Sequence, residues 1–357
     1  MLERGDVVEL VDTPGLEPGA ARRVGSIPSI PTIKDIKMNK LILLLIFFNA
    51  TSLISDEGDI VVSQTINSED YLIDRESYCR NRTSDEQLDW FEEFQENSLS
   101  KSTWKYAVSN GFEDRGQYIT GWGNGELQYY TKPSRKNKKT HTSKNLFIEN
   151  GLLKIQPTYS KYKGFNFTSA RIDTKALKNF TYPSRITVCF KVPTGVGFWP
   201  AFWLMPDEDI IWPQGGEIDI MENRGRISNI SSSALHFGKK YDNKSTLVGE
   251  VLIPRSVKFQ EKYHSVSLLW QEDKIEFYLD NEKNPYFAID KNHPEFADYP
   301  YPFNREYYMI INVAVGGKYD DYWVDKDAFC TDSKCSNKEK PDNHRFLIDW
   351  IEYEQLD

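Results

Sequence analysis

The chain has 357 residues, with 44 Lys+Arg against 53 Asp+Glu and a formal net charge of −9. At 14% aromatic residues, including 9 Trp and 20 Tyr, it is too rich in rings for a disordered tail. The acidic balance, with a pI near 5.3, argues against a nucleic-acid partner. The length supports a sizeable core, in one large domain or two ordinary ones.

Residues 1–37 are rich in Gly, Pro and small residues and contain no aromatic side chain. Met38-Asn39-Lys40 then leads into an unbroken apolar run over 41–48, followed by Asn49, Ala50, Thr51, Ser52 and, further on, Ser55. A short basic start, a short apolar core and a small-residue exit form the pattern of a secretory signal peptide, here 38–55. The run is shorter than the roughly 20 apolar residues that span a bilayer. Met38 is then the expected start, 1–37 an upstream segment, and the mature product extracellular with no membrane attachment. Cys79, Cys189, Cys330 and Cys335 make an even set, which in a secreted chain implies two disulfides in one of three pairings. Cys330 and Cys335 are near enough in sequence for a local clip. Asn-x-Ser/Thr acceptors occur at Asn81, Asn166, Asn179, Asn229 and Asn243.

The segment 56–85 is polar and acidic and reads as a linker. From 86 to 357 the texture is uniform: short runs of Val, Ile, Phe, Tyr and Trp separated by Gly, Pro, Asn and Asp clusters. The runs 152–156, 185–192, 265–271, 274–279 and 307–315 are strand-length, and helical periodicity is lacking. The expectation is an all-β sandwich in one domain, acting as a monomer. The basic stretch 132–144 reads as a solvated loop between strands.

The chemistry concentrates in 195–226. Glu217-Ile218-Asp219-Ile220-Met221-Glu222 alternates acidic and aliphatic residues, the pattern of a half-buried strand. Glu217 and Asp219 then share one face, while Ile218 and Ile220 point to the core. Glu222 reaches the acidic face only if a β-bulge near 220–221 adds one residue. Three carboxyls on one face repel one another, which raises at least one pKa toward the range acid/base chemistry needs. Two carboxyls flanking a scissile bond is the arrangement of glycoside hydrolysis. A solvent-facing acidic strand, or a metal site with oxygen ligands, would show the same spacing.

The stretch Gly-Glu-Ile-Asp-Ile-Met-Glu resembles the catalytic signature of glycoside hydrolase family 16, in its bulged, laminarinase-like form. The resemblance extends over 86–357. It includes the Trp122-Gly-Asn-Gly-Glu segment, the Thr168-Ser-Ala-Arg-Ile-Asp strand, the Phe198-Trp-Pro-Ala-Phe-Trp strand, Asn312-Val-Ala-Val-Gly-Gly and the closing Leu347-Ile-Asp-Trp-Ile-Glu-Tyr. It implies a β-jelly-roll of two curved antiparallel sheets with a concave substrate cleft. It also implies endo-hydrolysis of β-1,3-glucan poly- and oligosaccharides with retention of configuration. Glu217 would be the nucleophile, Glu222 the general acid/base, and Asp219 the assistant of Glu217. Asn124, Glu126, Arg171, Trp199, Trp203 and Trp212 would meet the sugar, with His236 beside the acid/base Glu. No cofactor is implied for catalysis. A structural calcium on the convex face would draw on Glu93 and Asp349. A non-catalytic glucan-recognition protein shares this fold, but it typically lacks the acidic pair that is present here. Within the enzyme class, mixed-linkage glucan and galactan stay open as the polymer.

Overall fold

The computed structural model describes residues 51–54, 59–66, 68–133, 145–280 and 283–357. The expected upstream segment, the apolar core of the expected signal peptide and the 134–144 part of the basic loop lie outside the described residues. Two large sheets dominate. The first has nine strands, in the order Thr51–Ile54, Ile60–Thr65, Asn243–Leu252, Ile230–Lys240, Glu217–Glu222, Phe198–Pro206, Tyr307–Val315, Arg171–Asp173 and Lys105–Tyr106. The second has eight and centres on Ser184–Lys191, which lies between His264–Trp270 and Phe346–Gln355. The strand-length runs read from sequence all form strands, to within a residue at either end.

The sheets pack through the inward halves of their alternating strands. Ile218, Ile220, Phe198, Phe202, Ile311 and Val313 come from the first sheet; Ile186, Val188, Phe190, Trp270 and Ile351 come from the second. Nearly all of these side chains are fully buried, and burial of that kind stabilises a fold by about 1.5–3 kcal/mol per large apolar side chain. The Phe198–Pro206 strand has neighbours on both sides, so the acidic strand Glu217–Glu222 beside it rests on a fixed support.

Three features depart from the expected all-antiparallel sandwich. Ile60–Thr65 runs parallel to Asn243–Leu252, and Phe165–Ser169 runs parallel to Gln128–Tyr130. Two small sheets stand beside the large ones. Of the segment expected as a linker, 56–85, the described residues 59–66 and 68–85 are laid along the domain. They contribute the parallel strand, the Cys79–Cys189 disulfide, and Arg80 bonded to Glu352 at 2.8 Å. The second disulfide is the expected local clip, Cys330–Cys335. Among the described residues no helix is long and apolar enough to cross a membrane.

Candidate active site

The bulge expected in the acidic strand is present. Trp203 pairs with Asp219 and Phe202 with Met221, which leaves Ile220 as the extra residue. On the other side Asp219 pairs with Ala234 and Glu222 with Ser232, again three steps against two. Ile218, Ile220 and Met221 are all fully buried beneath the carboxyls. Asp219 is 4% exposed and Glu222 8%, so neither carboxyl is freely hydrated.

Each glutamate is held by an indole. Trp199 donates its N–H to Glu222 Oε1 at 2.6 Å, and Trp212 donates a short bond to Glu217 Oε2. Asp219 lies 3.1 Å from His236 Nε2, and oxygens of Asp219 and Glu217 come within 4.8 Å of each other. Burial pushes all three carboxyls up, because their charged forms lose water. Glu217 reaches about 7, with the Asp219 charge as the second cause. Glu222 reaches about 8, again through burial first and Asp219 next, with the Trp199 bond opposing. Asp219 is raised by burial, against its interaction with Glu217. The arrangement can hold a proton on one carboxyl while another stays ionised, the division of labour that glycosidic cleavage requires.

Other expected residues fall into two groups. Trp199, Trp203 and Trp212 are half-buried around the carboxyls, not lost in the core. Trp203 donates to Asn312 Oδ1 at 2.7 Å, and Arg171 lies between the Trp203 and Trp122 rings, 4.7 and 4.2 Å from their centres. Such stacking suits a guanidinium, which is planar and weakly hydrated. The buried Glu126 carboxylate accepts from Gln128 at 2.6 Å, Asn124 at 3.2 Å and Tyr130 at 3.3 Å. These bonds hold its own loop together and engage the Asn124 amide. His236 bears on both glutamates. The register sets it opposite Glu217 and its ring reaches Asp219, and it also acts on the Glu222 carboxyl, whose own register partner is Ser232.

The chain adds residues that the sequence reading missed. Tyr319 stacks on Trp199 with ring centres 4.8 Å apart, and its hydroxyl meets Ser232 Oγ at 2.7 Å. Arg224 lies 4.3 Å from the Tyr319 ring centre on a cation–π contact. Gly317 makes this close approach possible: its φ is +90°, and a Cβ there would sit 3.2 Å from the Trp199 ring. The Gly316-Gly317 pair was a visible signal for a close turn, but not for the tyrosine it delivers. Thr246 supports His236 Nδ1 at 3.1 Å.

The residues proposed for calcium do not fit the ion. Glu93 and Asp349 do come near enough to interact, since the Glu93 charge helps push the Asp349 carboxyl up. The Arg82 guanidinium, however, bonds Glu93 directly, Glu352 at 3.1 Å and Asp85 at 3.1 Å. A resident cation from the chain itself already neutralises these donors. Among the described residues the metal-type cluster is Glu217, Asp219 and His236, with ligand atoms within 4.8 Å of one another. Glu217 there already accepts from Trp212, and Asp219 already has the His236 ring at 3.1 Å.

Residues 134–351, more than half of the chain, match the sequence profile of glycosyl hydrolases family 16. The chain belongs to this family. Family 16 relatives include a glucan endo-1,3-beta-glucosidase A1 from Niallia circulans, 31% identical over 65% of this chain and 34% of that protein, so the chain spans about a third of that relative. A beta-glucanase from Rhodothermus marinus is 30% identical over 68% of this chain and 80% of its own length. A glucan endo-1,3-beta-glucosidase from Cryptopygus antarcticus is 33% identical over 65% of this chain and 81% of its own. The endo-beta-1,3-glucanase structure from Pyrococcus furiosus superposes with a TM-score of 0.62 at 28% identity, covering 75% of this chain and 94% of that one. The family 16 jelly roll is therefore the fold.

Proposed function

We propose that the chain is a secreted endo-β-1,3-glucanase that cleaves laminarin-type glucans with retention of configuration. The observation that carries the reading is the bulged strand, on which three buried carboxyls lie together with an indole N–H on each glutamate. Relatives named for endo-1,3-beta-glucan cleavage support the polymer and the linkage.

On this reading each carboxyl has its own step. Trp212 holds Glu217 Oε2, which leaves Oε1 to attack the anomeric carbon. Trp199 holds Glu222 Oε1, which leaves Oε2 to carry the proton delivered to the departing glycosidic oxygen. The glycosyl–Glu217 bond then breaks as Glu222 takes a proton from water and that water attacks the same carbon. Asp219 stands close to both Glu217 and His236, and its charge raises the Glu217 carboxyl, so it shares the proton balance of the nucleophile. On this reading Trp203, with Arg171 stacked on it, borders the adjoining sugar site. The disulfides and the apolar run ahead of the domain support secretion.

The test is reducing-sugar release from laminarin by the wild type and by Glu217→Gln, with the anomer of the first product followed by proton NMR. Activity in the wild type alone, with a β-anomer first, is the expected result. Equal activity in both proteins, or an α-anomer first, overturns the mechanism. Tight laminarin binding with no release by the wild type would favour a recognition protein, like the 31% identical beta-1,3-glucan-binding protein of Penaeus monodon, which matches 42% of this chain.

A further inference from the structure

Lys318 and Tyr241 leave opposite ends of the nine-stranded sheet, yet their side chains meet. His236 pairs with Glu217, and Tyr241 follows in the turn after the Ile230–Lys240 strand. Its ring lies 5.7 Å from that of Trp212, the indole that bonds Glu217. Lys318 belongs to the other end. Val315, paired with Phe198, closes its strand; Gly317 turns the chain back over the site; and Tyr319 stacks on Trp199, the indole that bonds Glu222. From there Lys318 Nζ donates to the Tyr241 hydroxyl at 3.3 Å, with the ammonium 5.9 Å from the ring centre. The contact therefore ties the wall beside Glu222 to the wall beside Glu217, across the carboxylate strand. Both residues are exposed, Tyr241 by 57%, so the contact stands on the solvent side of the site.

We propose that the Lys318–Tyr241 contact is a roof over the cleavage point that selects unbranched glucan. The proposal rests on the reading of the site as a β-1,3-glucanase. A sugar bound at the carboxyls has the buried Ile218, Ile220 and Met221 layer beneath it. A substituent on that sugar has only the solvent side to occupy, where the roof stands. A nitrogen and an oxygen in hydrogen-bond contact leave no passage between them. An unbranched chain lies one ring thick below the roof, whereas a 6-linked glucosyl branch at the same sugar collides with it. An exposed hydrogen bond on a flexible lysine stem is held weakly, so the roof lifts to admit a chain from the side and settles over it. Lys318 and Tyr241 meet no reacting atom in this scheme; they determine specificity.

The experiment compares kcat/KM for a linear β-1,3-gluco-oligosaccharide with that for the same oligosaccharide carrying one central 6-linked glucosyl branch. The proteins are the wild type, Lys318→Ala, Tyr241→Phe and the double variant. The wild type should favour the linear substrate by about tenfold or more, the scale of steric discrimination in a pocket. Each single substitution should bring the ratio most of the way to one. The double should go no further, because one contact has been removed twice. Equal rates on the two substrates in the wild type, or a ratio that survives both substitutions, overturns the roof. Titration of the same two oligosaccharides into Glu222→Gln protein reads the roof without turnover, and equal affinities there overturn it as well. A linear preference in binding with no hydrolysis by the wild type would sink the glucanase reading and leave the roof standing.

Discussion

Trp199 serves Glu222 and Tyr319 at once: its indole N–H donates to the carboxylate at 2.6 Å, and its face lies against the tyrosine ring at 4.8 Å. The two roles are separable by substitution. Trp199→Phe keeps a ring for Tyr319 and removes the N–H. That N–H favours the ionised form of Glu222, the state the acid enters as it gives up its proton. A hydrogen bond to a charged group contributes about 1.5–3 kcal/mol. Trp199→Phe should therefore lower kcat on laminarin by about tenfold to a hundredfold while KM moves little. Steady-state kinetics on both proteins checks this, and a change confined to KM would contradict it.

The pH profile should sit above the usual carboxylate range. Activity requires Glu217 ionised and Glu222 protonated. Glu217, raised to about 7, sets the acid limb, and Glu222, raised to about 8, sets the alkaline limb. The two limbs are properties of the coupled cluster as a whole. Asp219 charge raises both glutamates, so Asp219→Asn should move both limbs of the kcat/KM profile to lower pH. Limbs that stay in place while the rate falls would show that Asp219 acts only by position.

Stability should carry the opposite mark of the same cluster. Glu222 is raised in the folded chain from an ordinary 4.5 to about 8. A carboxyl raised on folding contributes stability that is complete below the lower value and is lost as pH climbs through the higher one. Each unit of that shift corresponds to about 1.4 kcal/mol. Glu222→Gln keeps the shape without the charge. Its melting temperature should match the wild type near pH 4 and exceed it above about pH 8, by a few kcal/mol of stability. Thermal denaturation across that range reads the difference, and a constant offset at all pH would count against the assignment.

Arg82 should do the work of a bound cation. Its guanidinium serves Glu93, Glu352 and Asp85 together, and Arg80 adds a second bond to Glu352 at 2.8 Å. The wild-type melting temperature should be the same in chelator and in excess calcium. Arg82→Ala strands the largely buried Glu352 with one partner fewer and should cost about 2–3 kcal/mol. Calorimetry of the two proteins with and without calcium decides the matter, and a wild type that melts earlier in chelator would restore the metal.

Much of the cleft was legible because its signal is local. The alternation of Glu217, Ile218, Asp219 and Ile220 sets the face of the strand, and the spacing to Glu222 demands the bulge that is found. What escaped depends on partners distant in the chain. His236 serves Asp219 because of the register between two strands, which no spacing within either strand reveals. Tyr319 and Lys318 reach the site through one backbone reversal at Gly317. The bonds of Glu126 to Gln128 and Tyr130, in the strand that follows, were likewise not visible in its glycine-rich loop. The described part of 56–85 is attached by a disulfide, an ion pair and main-chain bonds, and by Ile60, Ile66, Tyr71 and Tyr78 packed singly against the core, too sparsely to show as a period.

The parallel strand Ile60–Thr65 bears on where the folding unit begins. It covers the outer main-chain groups of Asn243–Leu252, whose other side is already paired. A chain shortened to start at residue 86 would leave that strand as a bare edge, with a row of N–H and C=O groups open to a second molecule. It would also lose Cys79 and leave Cys189 as an unmatched thiol. Such a fragment keeps every carboxyl of the cleft and still invites self-association through the Asn243–Leu252 edge and the free thiol.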